Sequence, residues 1–149
     1  MAKFPLQRLV DLAKNQTEAA IRALGDLNRQ HGAIGGKLEL LLQYREEYRN
    51  KYAEAMKKGI TQNELQNFRN FISRLDEAID QQKRLLDQSA RAVEEGRNRY
   101  REQHRKLKSF ETLAARHEAS ESLKSARMEQ KDLDEISSNA YSRKGSEEG

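Results

Sequence analysis

The sequence predicts an all-α protein: a long antiparallel two-helix coiled coil, a helical hairpin with its turn near residues 57–61 and a second helix that overhangs the first. Three observations predict it. Hydrophobic residues make up 36% of the 149 and charged residues 35%, thin material for a globular core but typical of long solvated helices. Two stretches carry sustained seven-residue apolar repeats. Between them the segment KKGITQNELQNF, Lys57 to Phe68, stops one helix and starts another.

The first helix is expected over about residues 4–57. One set of its seam positions reads Val10, Thr17, Leu24, His31, Leu38, Arg45 and Tyr52; the other reads Leu6, Ala13, Ala20, Leu27, Ile34, Leu41, Tyr48 and Ala55. The repeat runs without an insertion, which argues for a coiled-coil seam over a globular helix. HGAIGG, His31 to Gly36, works against it, because each interior glycine costs roughly 1 kcal/mol relative to alanine. Unbroken phase through Leu27, Ile34 and Leu38 favours a bend over a break. A three-helix bundle with a corner at Gly35 and Gly36 is the alternative architecture.

The second helix, expected over about residues 62–140, opens with agreeing signals. Thr61 stands as N-cap, Glu64 as its capping-box partner, and Ile60 with Leu65 as a hydrophobic staple. Gly59 suits the end of the preceding helix. The second track passes through Leu65, Ile72, Ile79, Leu86, Val93, Tyr100, Leu107 and Ala114, with Phe68, Leu75, Gln82, Ser89, Gly96, Gln103 and Phe110 between them.

A short connection makes the helices antiparallel, so facing residues have numbers that sum to about 120. Every seam position then meets another: Tyr52 with Phe68, Tyr48 with Ile72, Ile34 with Leu86, Leu27 with Val93, Val10 with Phe110. Leu24 faces Gly96 and Ala20 faces Tyr100. Two polar layers coincide, His31 with Ser89 and Thr17 with Gln103, weakening packing but helping to fix register. Arg45 opposite Leu75 and Leu38 opposite Gln82 are poorer layers, whose long side chains are expected to snorkel outward.

In this register the chain's start pairs with about Glu118, and the second helix continues alone. Its later heptad positions, Glu121, Lys124, Met128, Lys131 and Glu135, are mostly polar, leaving a small stripe of Leu133, Ile136 and Ala140. Such an end is either solvated and fraying or inserted into a partner. The hairpin is thus placed at residues 1–141 and a disordered tail, SRKGSEEG, at residues 142–149.

Near the turn, Tyr44 and Phe71 occupy the same flanking edge, where Lys and Glu usually stand, with Leu41, Tyr48, Leu75 and Ala78 beside them. The aromatics either extend the core or form a protein-binding patch. The basic run RNRYREQHRKLK, Arg97 to Lys108, offers no stacking platform, since Tyr100 belongs to the seam. It reads as a solvated face, or one for an acidic protein surface or anionic lipid. With 28 Lys and Arg against 24 Asp and Glu, the net charge of +4 is modest for a dedicated polyanion binder.

No apolar run approaches the roughly 20 residues of a membrane span, and the start lacks a signal peptide's apolar centre. Together with the absence of cysteine this points to a cytoplasmic protein. A two-helix coiled coil encloses no substrate-sized cavity. His31, His104 and His117 do not converge, and no phosphate loop is present, so neither enzyme, cofactor nor metal site is expected.

Three segments in order, LLQYREEYRNKY, then GITQNELQNFRNFISRLDEAIDQQ, then RMEQKDLDEI, resemble the FliJ family of the bacterial flagellar export apparatus. The likeness spans nearly the whole chain, from LVDLAKNQ to the final SRK, while HGAIGG departs from the pattern. RMEQKDLDEI is the most specific piece, because no packing rule requires it. The resemblance implies a stalk-like hairpin, similar to the central stalk of rotary ATPases, that sits in the hexameric export ATPase FliI. It further implies contact with the cytoplasmic domain of the gate protein FlhA and with flagellar export chaperones. Membrane association would then be peripheral, at the cytoplasmic face of the inner membrane and only through partners. Leu41, Tyr44, Tyr48, Phe71, Leu75 and Ala78 match the family's gate-facing patch. Met128, Gln130, Lys131, Leu133, Asp134 and Glu135 fall where the stalk analogy places ring contacts. A nucleic-acid-binding or purely structural coiled coil is the alternative.

Overall fold

The computed structural model describes residues 3–148, with side chains from residue 5 to residue 145. Among the described residues there are two helices, α1 over Lys3–Lys58 and α2 over Gln62–Glu148, and no strand. They form a helical hairpin coiled coil, and the reason is visible in the burial pattern. Between Leu6 and Ala55 every expected seam position of α1 is withdrawn from solvent, joined only by Gly25 and Gly35. Every expected seam position of α2 from Leu65 to Ala114 is withdrawn likewise. A strict heptad stripe is narrow, so it can be covered by one partner helix and leaves the rest of the surface charged. Of residues 142–149, where the sequence suggests a tail, α2 includes those up to Glu148. Gly149 lies outside the described residues.

The turn is built as the capping signals require. Gly59 takes φ +83°, the left-handed conformation that ends helices and that glycine enters without a Cβ clash. Its amide reaches back to the Met56 carbonyl at 3.4 Å. Thr61 and Glu64 then close a reciprocal box: the Glu64 amide donates to Thr61 Oγ1 at 3.2 Å, and the Thr61 amide to Glu64 Oε2 at 3.4 Å. Two of the donors that a helix start leaves unpaired are thereby satisfied.

The helices' contacts divide into two units, Glu18–Glu102 and Met1–Thr17 with Gln103–Gly149. Glu18–Glu102 contains the turn and most of the layers. Leu75, Ile79 and Val93 are its most deeply buried apolar residues. Gly96 accepts Leu24 and Leu27 so closely that a Cβ there would lie 2.9 Å from Leu27 Cδ1. His31 Nδ1 and Ser89 Oγ meet at 2.7 Å, which makes the expected polar layer a hydrogen bond. α1 passes Gly32, Gly35 and Gly36 without interruption, so the three-helix alternative is set aside. The seam on both sides of HGAIGG stays in phase and holds the segment helical.

The two poorer layers resolve differently from each other, and only one of them in the outward way that the sequence suggests. Arg45 does reach out, to Asp76 Oδ1 at 2.6 Å. Gln82 instead turns in: it is 5% exposed and its Nε2 donates to the Ile34 carbonyl at 3.0 Å. An inward amide is tolerable only when it finds such a partner, and a helix carbonyl retains a second lone pair to offer.

In the other unit, Val10, Ala13 and Thr17 are the buried residues of α1, with Leu107, Phe110 and Ala114 withdrawn from solvent on α2. The expected Thr17 and Gln103 layer is not a hydrogen bond. Thr17 Oγ1 donates to the Ala13 carbonyl on its own helix at 2.7 Å, and Gln103 Oε1 is buried with no hydrogen-bond partner among the described residues. A threonine hydroxyl inside a helix commonly takes this local partner, because the carbonyl four residues back is always in reach. The seam ends at His117 and Glu121; from Ser122 to Gly145 every residue is exposed.

Candidate functional site

The candidate surfaces are the residues that the coiled coil does not use. Near the turn, Tyr44 is 59% and Phe71 39% exposed. Both sit one step off their seams, where the helix phase turns a side chain to the flank. Tyr48 bridges from seam to edge: its ring lies 4.0 Å from that of Phe71, centroid to centroid, and 5.2 Å from that of Phe68. Tyr52 meets Phe68 edge-on at 5.2 Å. A tilted aromatic run therefore leads from the interior to the surface and holds Phe71 in a defined position, a geometry that stabilises each ring pair by about 0.5–1.5 kcal/mol beyond area.

Of the six residues grouped at this edge, Tyr44 and Phe71 are the accessible ones. Leu41, Tyr48 and Ala78 are half-buried beneath them, and Leu75 belongs to the core. A partner docking here touches the two aromatics and the rims of their neighbours, while Leu75 acts from below as support. Exposed aromatics backed by buried ones suit anchor residues, which lose little conformational freedom on binding.

On the opposite edge lies a feature that the heptad reading missed. An open groove of about 680 Å³ is lined by Tyr52, Phe68 and Ile72 together with the charged Arg45, Arg49, Arg69, Asp76, Glu77 and Asp80. The hydrogen bond from Arg45 to Asp76, and then the Asp76 charge, hold the guanidinium's pKa above its ordinary value. The sequence signal was Arg45 at a seam position with Asp76 one step off the facing seam. It reads as a packing defect unless the side chain is followed outward.

The second surface is the free stretch of α2. Leu133 and Ile136 are 58% and 65% exposed, and Met128 is exposed as well. At about 100° per residue, Met128, Gln130, Lys131, Leu133, Asp134 and Glu135 are distributed round most of the helix circumference. Gln130 Nε2 donates to Asp134 Oδ1 at 3.1 Å along it. A flat surface meets only some of these six; a bore that encloses the helix meets them all. The basic run, by contrast, is paired with carboxylates that precede it on the same helix, Arg97 with Glu94 and Arg99 with Glu95, which lowers the charge it presents to a polyanion. No helix among the described residues is long and apolar enough to cross a membrane.

Comparison with known proteins places these surfaces in a context. The family model described as "Flagellar FliJ protein" matches residues 1–146. The Escherichia coli (strain K12) "Flagellar FliJ protein" is 35% identical over 139 residues, covering 93% of this chain and 95% of that one. The Salmonella typhi "Flagellar FliJ protein" is 34% identical over 139 residues with the same coverage.

Proposed function

Because this chain belongs to the FliJ family of flagellar proteins, we propose that it serves the flagellar protein export apparatus as a stalk-like coiled coil. In this reading the free stretch of α2 enters the hexameric export ATPase FliI and promotes ring assembly and ATP hydrolysis without chemistry of its own. The aromatic edge near the turn engages the cytoplasmic domain of the export gate protein FlhA, and export chaperones exchange on the same molecule. It works in the cytoplasm and reaches the inner membrane's cytoplasmic face only through these partners.

The observation that carries the reading is the end of the seam at Glu121, followed by continuous exposed helix with apolar side chains on it. An exposed helix beyond the seam, with these residues round most of its circumference, suits an enclosing ring better than a flat interface. Buried anchor contacts from Leu133 and Ile136, each of about 1.5–3 kcal/mol, supply affinity, and the surrounding charges set register.

The test is a titration of the chain into FliI from the same organism, following ATP turnover and hexamer formation together, with a truncation before Leu123 as control. Stimulation by the full chain and its loss on truncation is the expected result. An unchanged rate and oligomeric state with the full chain, under conditions where FliI is otherwise competent, overturns the reading.

A further inference from the structure

We propose that residues 31–36 of α1, set against residues 82–89 of α2, form a flexural joint at which α1 opens and bends while α2 remains a continuous strut. The inference needs no partner and stands apart from the export reading.

Three observations lie behind it. First, the glycines of HGAIGG are not demanded by packing. A Cβ on Gly32 or on Gly36 would meet nothing within 4 Å, and one on Gly35 would make an ordinary 3.6 Å contact with Leu86 Cδ1. All three are helical, with no positive φ to require glycine. Gly96 is the contrast, since there a Cβ would press on Leu27. Glycine without a steric reason leaves only its effect on the backbone, which is to weaken the helix.

Second, the contacts that tie this segment across the seam include two polar ones, each of a kind that water can replace. His31 Nδ1 meets Ser89 Oγ, and the Ile34 carbonyl accepts from Gln82 Nε2. Hydrogen bonds exchange with solvent at small net loss when a helix opens locally, whereas apolar layers do not. Third, the weakness is one-sided. α2 has no glycine between Gln62 and Glu95, and its Gln82, Leu86 and Ser89 are the groups that hold α1 in place. Opening in α1 therefore leaves a continuous helix opposite to restore it. Local openings of this kind are set by few buried contacts and exposed backbone bonds, and Gly32 and Gly36 expose their backbone on the outer side.

Amide hydrogen exchange on the full chain tests the joint. Amides of residues 33–40 are expected to exchange about tenfold or more faster than those of residues 20–30 of α1 and 84–92 of α2. Replacing Gly32→Ala with Gly36→Ala is expected to slow residues 33–40 roughly 30-fold while residues 44–55 stay nearly unchanged. Gly25→Ala is the positional control and is expected to slow only its own turn. Uniform protection along α1 overturns the proposal. So does a Gly32→Ala, Gly36→Ala pair with unchanged exchange at residues 33–40, or a Gly25→Ala chain that slows them as much as the pair does.

Discussion

His31 and Ser89 stand 58 positions apart in the chain and meet across the seam at 2.7 Å. Their meeting favours this register, because a slip of one heptad would carry His31 to Gln82 or Gly96 and leave the Ser89 hydroxyl facing Leu38 or Leu24. Ser89→Ala is therefore expected to lower stability by about 1 kcal/mol. Replacing both, His31→Leu with Ser89→Ala, is expected to raise the thermal midpoint while loosening register. Thermal circular dichroism reads the first effect. Spin-label distances between the helices, broader in the double variant, read the second.

Gly96 carries the opposite constraint. Gly96→Val is expected to cost about 2–3 kcal/mol, since its Cβ alone would lie 2.9 Å from Leu27 Cδ1 and 3.4 Å from Leu24 Cδ1 and its methyls would press further. Gly96→Ala is expected to fall short of the ~1 kcal/mol gain that helix propensity alone provides. Chemical denaturation followed by helicity ranks the two against Gly32→Ala, which should gain that amount.

The turn depends on two residues that act in different ways. Thr61→Ala removes an N-cap and is expected to cost about 1 kcal/mol. Gly59→Ala places a Cβ at φ +83° and is expected to cost roughly 1 kcal/mol by backbone strain. Both should leave the folded spectrum unchanged while lowering the denaturation midpoint.

Tyr44→Asp combined with Phe71→Asp is expected to weaken binding to the FlhA cytoplasmic domain by at least about thirtyfold, the effect of losing a hot-spot anchor. Helicity should persist, because both side chains lie outside the seam. Calorimetric titration with unchanged affinity would remove the aromatic edge from consideration.

Truncation before Leu123 is expected to change the stability of the remaining chain by less than about 0.5 kcal/mol. Every residue from Ser122 to Gly145 is exposed and lies beyond the end of the seam. A large drop in the thermal midpoint would show that the free stretch folds back in solution.

The seam, the turn and the overhang are legible along the chain alone. Heptad spacing specifies which side of each helix is apolar, and Gly59, Thr61 and Glu64 specify where the chain reverses; together they leave a single register, the one that burial displays. So is the aromatic edge, since an aromatic one step off a seam is visible in the spacing. Where the long polar side chains go is set by the packing of one helix on the other. Arg45 and Gln82 look alike as seam defects, yet one turns outward to Asp76 and the other inward to the Ile34 carbonyl. Thr17 spends its hydroxyl on Ala13 instead of Gln103. Periodicity is a property of one helix and can be read along the chain. A flexible polar group chooses among partners on two helices, and their relative distances exist only once the helices have packed.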